Sequence, residues 1–171
     1  TKLTTTDGQA LSGFPTTKAA LDYDYKAPLR YFPHAVTVTE TAGTADAEPQ
    51  PTAFSITTAE SRLPDLTALL GGYAEQFALT DPANAAVGGS STVRPVFDGD
   101  PFAKDNGLPD GEATAHDRAL AVLKVALVNL DRLHADPTTG VLLDSAQLTA
   151  GSVVRTPHAT TTEVAYALIG L

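Results

Sequence analysis

Six oxygen-bearing side chains crowd one short stretch: Asp98, Asp100, Asp105, Asn106, Asp110 and Glu112 fall within fifteen residues, relieved only by Lys104. Hard oxygen donors on a chain rich in glycine and proline suit calcium, which takes six to eight such ligands in a flexible shell. These six are the candidate calcium ligands. An ordinary solvated loop is the competing reading, with the Asp and Asn residues closing Asx turns and the acidic end favouring the start of the next helix. The EF-hand spacing does not apply, because Asp98-Gly-Asp100 runs into Pro101-Phe102 where a further oxygen ligand and a glycine are required.

Within that stretch Asp105-Asn-Gly-Leu-Pro-Asp-Gly-Glu112 resembles the acidic Asp-Gly-Leu-Pro-Asp calcium repeats of thrombospondin type 3 and related bacterial extracellular proteins. The resemblance covers eight of 171 residues. It implies that Asp110 is the last acidic ligand of a repeat. Asn106 stands where the repeat has Asp, and Phe102 and Lys104 occupy positions that are acidic in the repeat.

Histidine offers transition-metal chemistry at four positions, His34, His116, His134 and His158. A single helix through His116 and His134 would set them on one face but roughly 27 Å apart, too far to share an ion. A shared site therefore needs the fold to bring His34 or His158 beside one of them, with Asp117, Asp131 or Asp136 as a further ligand. Each histidine also has a plain role at the end of an element. Asp117, Asp131 and Asp144 are the candidate catalytic carboxylates. The segment Asn129 to Asp144 looks like the helix-to-helix connections of α/α toroid proteins, among them glycoside-processing enzymes and terpenoid cyclases. That likeness implies a cavity-lining carboxylate pair, Asp131 and Asp144, for acid/base work on a glycoside, whose separation only the fold fixes. Nucleophile-elbow, phosphate-loop and dinucleotide fingerprints are absent.

The composition limits partners. Eleven Lys and Arg stand against 20 Asp and Glu, for a net charge of -9, so there is no broad basic footprint for nucleic acid. The most apolar run, Ala119 to Leu130, is too short to span a membrane. With no cysteine there is no disulfide framework and no thiolate metal site. Twenty-four threonines, few lysines and the absence of oxidisable Cys and Met suggest an exported bacterial protein, with codon bias as the competing explanation. Having no methionine, the chain reads as a processed form or an excerpt.

The elements that would position these groups follow from periodicity. Residues 1–30 carry scattered apolar positions and read as an extended arm, with Leu21 to Tyr25 alternating like a short strand and placing Tyr23 and Tyr25 on one face. Residues 31–171 form one globular domain, with the option of continuing beyond 171. Ala35 to Thr41 and Thr52 to Thr58 are β-branched and alternating, which predicts two antiparallel strands joined by a long loop. Pro64 opens a helix to about Leu79, with Gly71-Gly72 marking a break or a close backbone approach. Residues 81–91 read as loop and 92–97 as a short extended piece.

Thr114 and Asp117 have capping-box spacing before a helix to about His134, apolar nearly all round, with a Leu120, Leu123, Leu127, Leu130 stripe and Val122, Val125, Ala126 and Val128 over most of the rest, which predicts the central buried helix of the domain. Thr160 and Glu163 cap a last helix. The expected fold is α+β: a mainly helical domain with a small antiparallel β element and long surface loops. The leading functional expectation is a non-enzymatic exported binding or structural module, possible calcium stabilisation included, that contacts other proteins through its arm and loops. The alternatives are an α/α hydrolase-like enzyme or fragment with an Asp/His site, and a subunit of a larger assembly.

Overall fold

The computed structural model describes residues 3–43, 48–81 and 113–156, together with residues 158, 160, 162, 164 and 165. The architecture is α+β. In chain order the elements are α1 (Thr17–Leu21), β1 (Ala35–Glu40), β2 (Pro51–Thr58), β3 (Ser61–Arg62), α2 (Leu63–Thr80), α3 (Ala115–Asn129), a π-helical turn (Leu130–His134), β4 (Ser145–Thr149) and β5 (Ser152–Arg155).

Helix α3 is the centre of the molecule, and its start is the one read from sequence. The Thr114 side chain accepts from the Asp117 N–H while the Asp117 carboxylate accepts from the Thr114 N–H, so two otherwise orphaned donors are satisfied. Its small and β-branched residues face inward on two sides. Ala121, Val125 and Val128 join Phe14, Ala20, Tyr23, Leu29, Tyr31 and Ala146 in one core cluster; Ala126 joins Leu63, Leu66 and Leu70 in another. The leucine stripe is the less buried side, and Leu127 is 44% exposed. Two small faces let α2 and the N-terminal segment approach α3 closely, which a row of leucines would hold off.

Residues 3–30, expected as an arm, supply Phe14, Ala20, Tyr23 and Leu29 to that core. Thr16 caps α1 by accepting from the Ala19 N–H, so the chain turns helical just before the Leu21 to Tyr25 segment read as a strand. Tyr23 is then buried and Tyr25 exposed, on different sides rather than one face. The start of the chain is also tied by backbone bonds between Thr5 and Tyr31 in both directions, at 2.8 and 3.0 Å. At Gly8, with φ +75°, an added Cβ would lie 2.9 Å from the Tyr31 hydroxyl, so only glycine fits the turn.

Strands β1 and β2 pair antiparallel, as expected, and pack mainly on each other. The register sets Val36 opposite Ile56 and Val38 opposite Phe54, placing these four on one face, while Thr37 and Ser55 lie on the other. A second sheet, β3-β4-β5, was not anticipated. Its β4–β5 hairpin turns through Ala150 and Gly151, both at positive φ (50° and 79°), the backbone of a two-residue turn that matches strand twist.

Helix α2 runs unbroken through Gly71-Gly72. A Cβ at Gly72 would meet nothing within 4 Å, so no neighbouring backbone requires that glycine. The expected helix to His134 changes hand-hold after Asn129: the Ala135 N–H reaches back five residues to the Leu130 carbonyl at 2.9 Å, a single π turn. Near the end of the chain the Val164 N–H donates to the Thr160 carbonyl at 3.1 Å, a helical bond at the expected site. Glu163 lies outside the described residues, as do residues 82–112 with the predicted loop and extended piece. Among the described residues no helix is long and apolar enough to cross a membrane.

Candidate functional site

Among the described residues, one concavity lies by the π turn and another beside α2 and β1. The larger, about 750 Å³, is lined by the charged residues Asp131, Arg132, Asp136 and Arg155, with Leu29 and Leu148 among its apolar walls. Its geometry follows from the π turn. A widened turn leaves carbonyls without helical partners, and the Arg155 guanidinium takes two of them, donating from Nε to Leu133 at 2.7 Å and from Nη2 to Arg132 at 2.8 Å. Arg132 in turn donates to the Ala27 carbonyl at 2.8 Å, fastening the N-terminal segment. The Asp136 carboxylate accepts from the Thr139 and Thr138 N–H groups, both at 2.8 Å, and these bonds hold its pKa below the ordinary carboxylate value. Three of the four charged groups are therefore committed to backbone, and Asp131 stands exposed at the rim.

The smaller cleft, about 370 Å³, is mostly apolar: Phe32, Val36, Leu66, Leu69, Tyr73 and Val122 line it, with His34, Asp65 and Ser61 as polar groups. Apolar walls with a few convergent polar groups are the usual make-up of a ligand site. His34 is held by its Nδ1 at 2.5 Å from Asp65 Oδ2. Its backbone N–H donates to the Glu60 carbonyl at 2.7 Å, which fixes His34 beside the start of β3. Period-two alternation turns Ser61 inward and Arg62 outward.

Behind Ser61 sits His134, fully buried. Its Nδ1 lies 2.9 Å from the Leu143 carbonyl oxygen and its Nε2 3.0 Å from Ser61 Oγ. A carbonyl only accepts, so Nδ1 carries the hydrogen and, in the neutral ring, Nε2 accepts from the serine hydroxyl. Burial pushes the His134 pKa down, the Leu143 bond opposes this, and the nearby Arg155 charge adds to the lowering.

The residues nominated from sequence are dispersed. Asp117 is consumed by the α3 cap, at the far end of that helix from Asp131, about 20 Å away by helical rise. Asp144 lies just before β4, where its backbone carbonyl accepts from the Leu63 N–H at 2.7 Å, and it lines neither concavity. The pair Asp131 and Asp144 therefore does not face a common cavity. His116 stacks on Phe77 with ring centroids 4.0 Å apart and bonds the Phe77 carbonyl through Nδ1 at 3.0 Å. His158 is exposed, and its carbonyl accepts from the Asp144 N–H at 3.3 Å. Among the described residues no three His, Asp or Glu side chains gather into a metal-binding group. Asp98, Asp100, Asp105, Asn106, Asp110 and Glu112 lie outside them.

Ser61 and the Leu143 carbonyl are what sequence reasoning missed. Ser61 and His134 stand 73 positions apart, and a backbone oxygen leaves no residue-type signal at all. The fold is thus an α+β domain with an apolar cleft backed by a buried serine–histidine pair. No family model matches the chain, and neither a curated protein nor a solved structure resembles it significantly.

Proposed function

We propose that the protein is a binding module whose β1–β2 face and adjoining cleft receive an extended, apolar and basic segment of a partner protein. One observation carries this reading: Val38 and Phe54 sit opposite each other on the hairpin and remain 44% and 47% exposed. Val36, on the same face, is also a wall of the cleft and so links the hairpin face to the cavity. Among the described residues each strand is paired along one edge, and the other edge can accept an added strand by main-chain hydrogen bonds. A net charge of -9 favours a basic flank on whatever docks there. The catalytic carboxylates expected for a glycoside-processing site are spread over separate surfaces, which leaves the binding reading ahead of it.

Random peptides displayed on phage and panned on the immobilised chain test this directly. Enriched peptides should carry an apolar anchor beside Lys or Arg, and fluorescence anisotropy should show binding weakened about tenfold or more by Val38→Asp or Phe54→Ser. No enrichment over a blank surface, or equal binding to both variants, would sink the proposal.

A further inference from the structure

We infer that Ser61, in the wall of the apolar cleft, and His134, buried behind it, form a nucleophile and general base, giving the protein hydrolase activity on small esters with a short apolar acyl group. The inference rests on the reading of that cleft as a ligand site and uses none of the three carboxylates named from sequence. Nucleophilic catalysis by serine needs a neighbouring base in hydrogen-bond reach and a third group that orients the base. All three are present: Ser61 Oγ is 3.0 Å from His134 Nε2, and His134 Nδ1 is 2.9 Å from the Leu143 carbonyl oxygen. The carbonyl fixes the tautomer that leaves a lone pair on Nε2, the role a carboxylate has in a triad, although without its full negative charge.

Position and protonation support the same reading. Ser61 belongs to the wall of the cleft, with 2% of its surface exposed, and Leu66, Leu69 and Val122 are apolar residues of the same lining. Burial keeps the imidazole neutral near pH 7, the form a base requires. His34, with Nδ1 clamped to Asp65 and its backbone N–H on the Glu60 carbonyl next to Ser61, stands on the same wall.

The reaction balances without any added cofactor. Ser61 Oγ attacks the ester carbon as its proton passes to Nε2. The bond to the alcohol oxygen then breaks and that oxygen takes the proton, leaving an acyl-serine. Water attacks the acyl carbon, giving its proton to Nε2, which returns it to Ser61 as the carboxylic acid leaves.

A fluorophosphonate probe, which phosphonylates an activated serine with loss of fluoride, tests the pair on the intact chain. Peptide mapping should find one label, on Ser61, and p-nitrophenyl butyrate should be hydrolysed. Ser61→Ala should abolish both, and His134→Gln should slow both at least about 100-fold. Should His134→Gln fail to fold, the wild-type labelling rate against pH decides instead: it should rise and reach a plateau below pH ~6.5, the ordinary histidine value. An unlabelled Ser61, or a rate that only tracks hydroxide concentration, overturns the inference. Hydrolysis lost in Asp131→Asn but kept in Ser61→Ala overturns it too, and returns the chemistry to the larger cleft. Peptide binding retained without labelling refutes this inference alone, and labelling without peptide binding refutes the docking proposal alone.

Discussion

At the scale of single residues, His134 shows how burial converts an ordinary side chain into a conditional one. Its folded pKa lies below the unfolded value of about 6.5, so near and below that pH the unfolded chain binds more protons than the folded one. Stability from this group is therefore complete above pH ~6.5 and declines as the pH falls through it. Urea denaturation between pH 8 and 5 should show that decline, and His134→Gln should flatten it; an unchanged slope in the variant would place the acid sensitivity elsewhere. Gly8 is a second such position. Gly8→Ala sets a Cβ against the Tyr31 hydroxyl at a positive φ and should cost about 1–3 kcal/mol in chemical denaturation, whereas a loose arm would register no change. Ala150, at φ 50°, strains in the opposite sense: Ala150→Asn suits the left-handed region better and should gain a few tenths to about 1 kcal/mol.

Elements respond to features one residue cannot express. Helix α2 continues through Gly71-Gly72 because its buried face, Leu63, Leu66, Thr67 and Leu70, packs against α3 strongly enough to override the low intrinsic propensity of glycine. Since a Cβ at Gly72 meets open space, Gly72→Ala should raise stability by about 1 kcal/mol, read as a higher urea midpoint at unchanged m-value. Removing the α3 cap with Thr114→Ala should cost about 1 kcal/mol by the same measurement. The π turn is held from outside by Arg155, whose guanidinium meets the Arg132 and Leu133 carbonyls. Two hairpins were unequally legible. The β1–β2 pair announced itself through Val-Thr alternation, while β4–β5 hid its turn behind Ala-Gly in place of the Asn-Gly or Asp-Gly that usually marks one.

Over the whole molecule, α3 is a two-sided core. The N-terminal segment and Ala146 of β4 pack with one side of it and α2 with the other. That arrangement makes the N-terminal segment structural: Lys124 Nζ bonds the Leu21 carbonyl, Asn129 Nδ2 the Arg30 carbonyl and Arg132 the Ala27 carbonyl, all from α3 or its π extension. Hydrogen exchange should accordingly find the Thr5, Tyr31 and Tyr23 amides protected nearly as well as those in the middle of α3. Rapid exchange in residues 3–30 would contradict the core assignment.

The sequence by itself determined the α+β class, the β1–β2 pair, the start of α3 at the Thr114 cap and the central place of that helix, because these rest on local periodicity and on capping contacts three residues apart. Tertiary structure alone decided that residues 3–30 enter the core, since their apolar positions fit no single period and find partners on α3 and on segments distant in the chain. It also decided which histidine is buried against a hydroxyl. Four histidines are equivalent as letters; only the meeting of β3 with the π turn and the Leu143 carbonyl, from segments distant in the chain, gives His134 a fixed tautomer, a dry surrounding and a serine in reach.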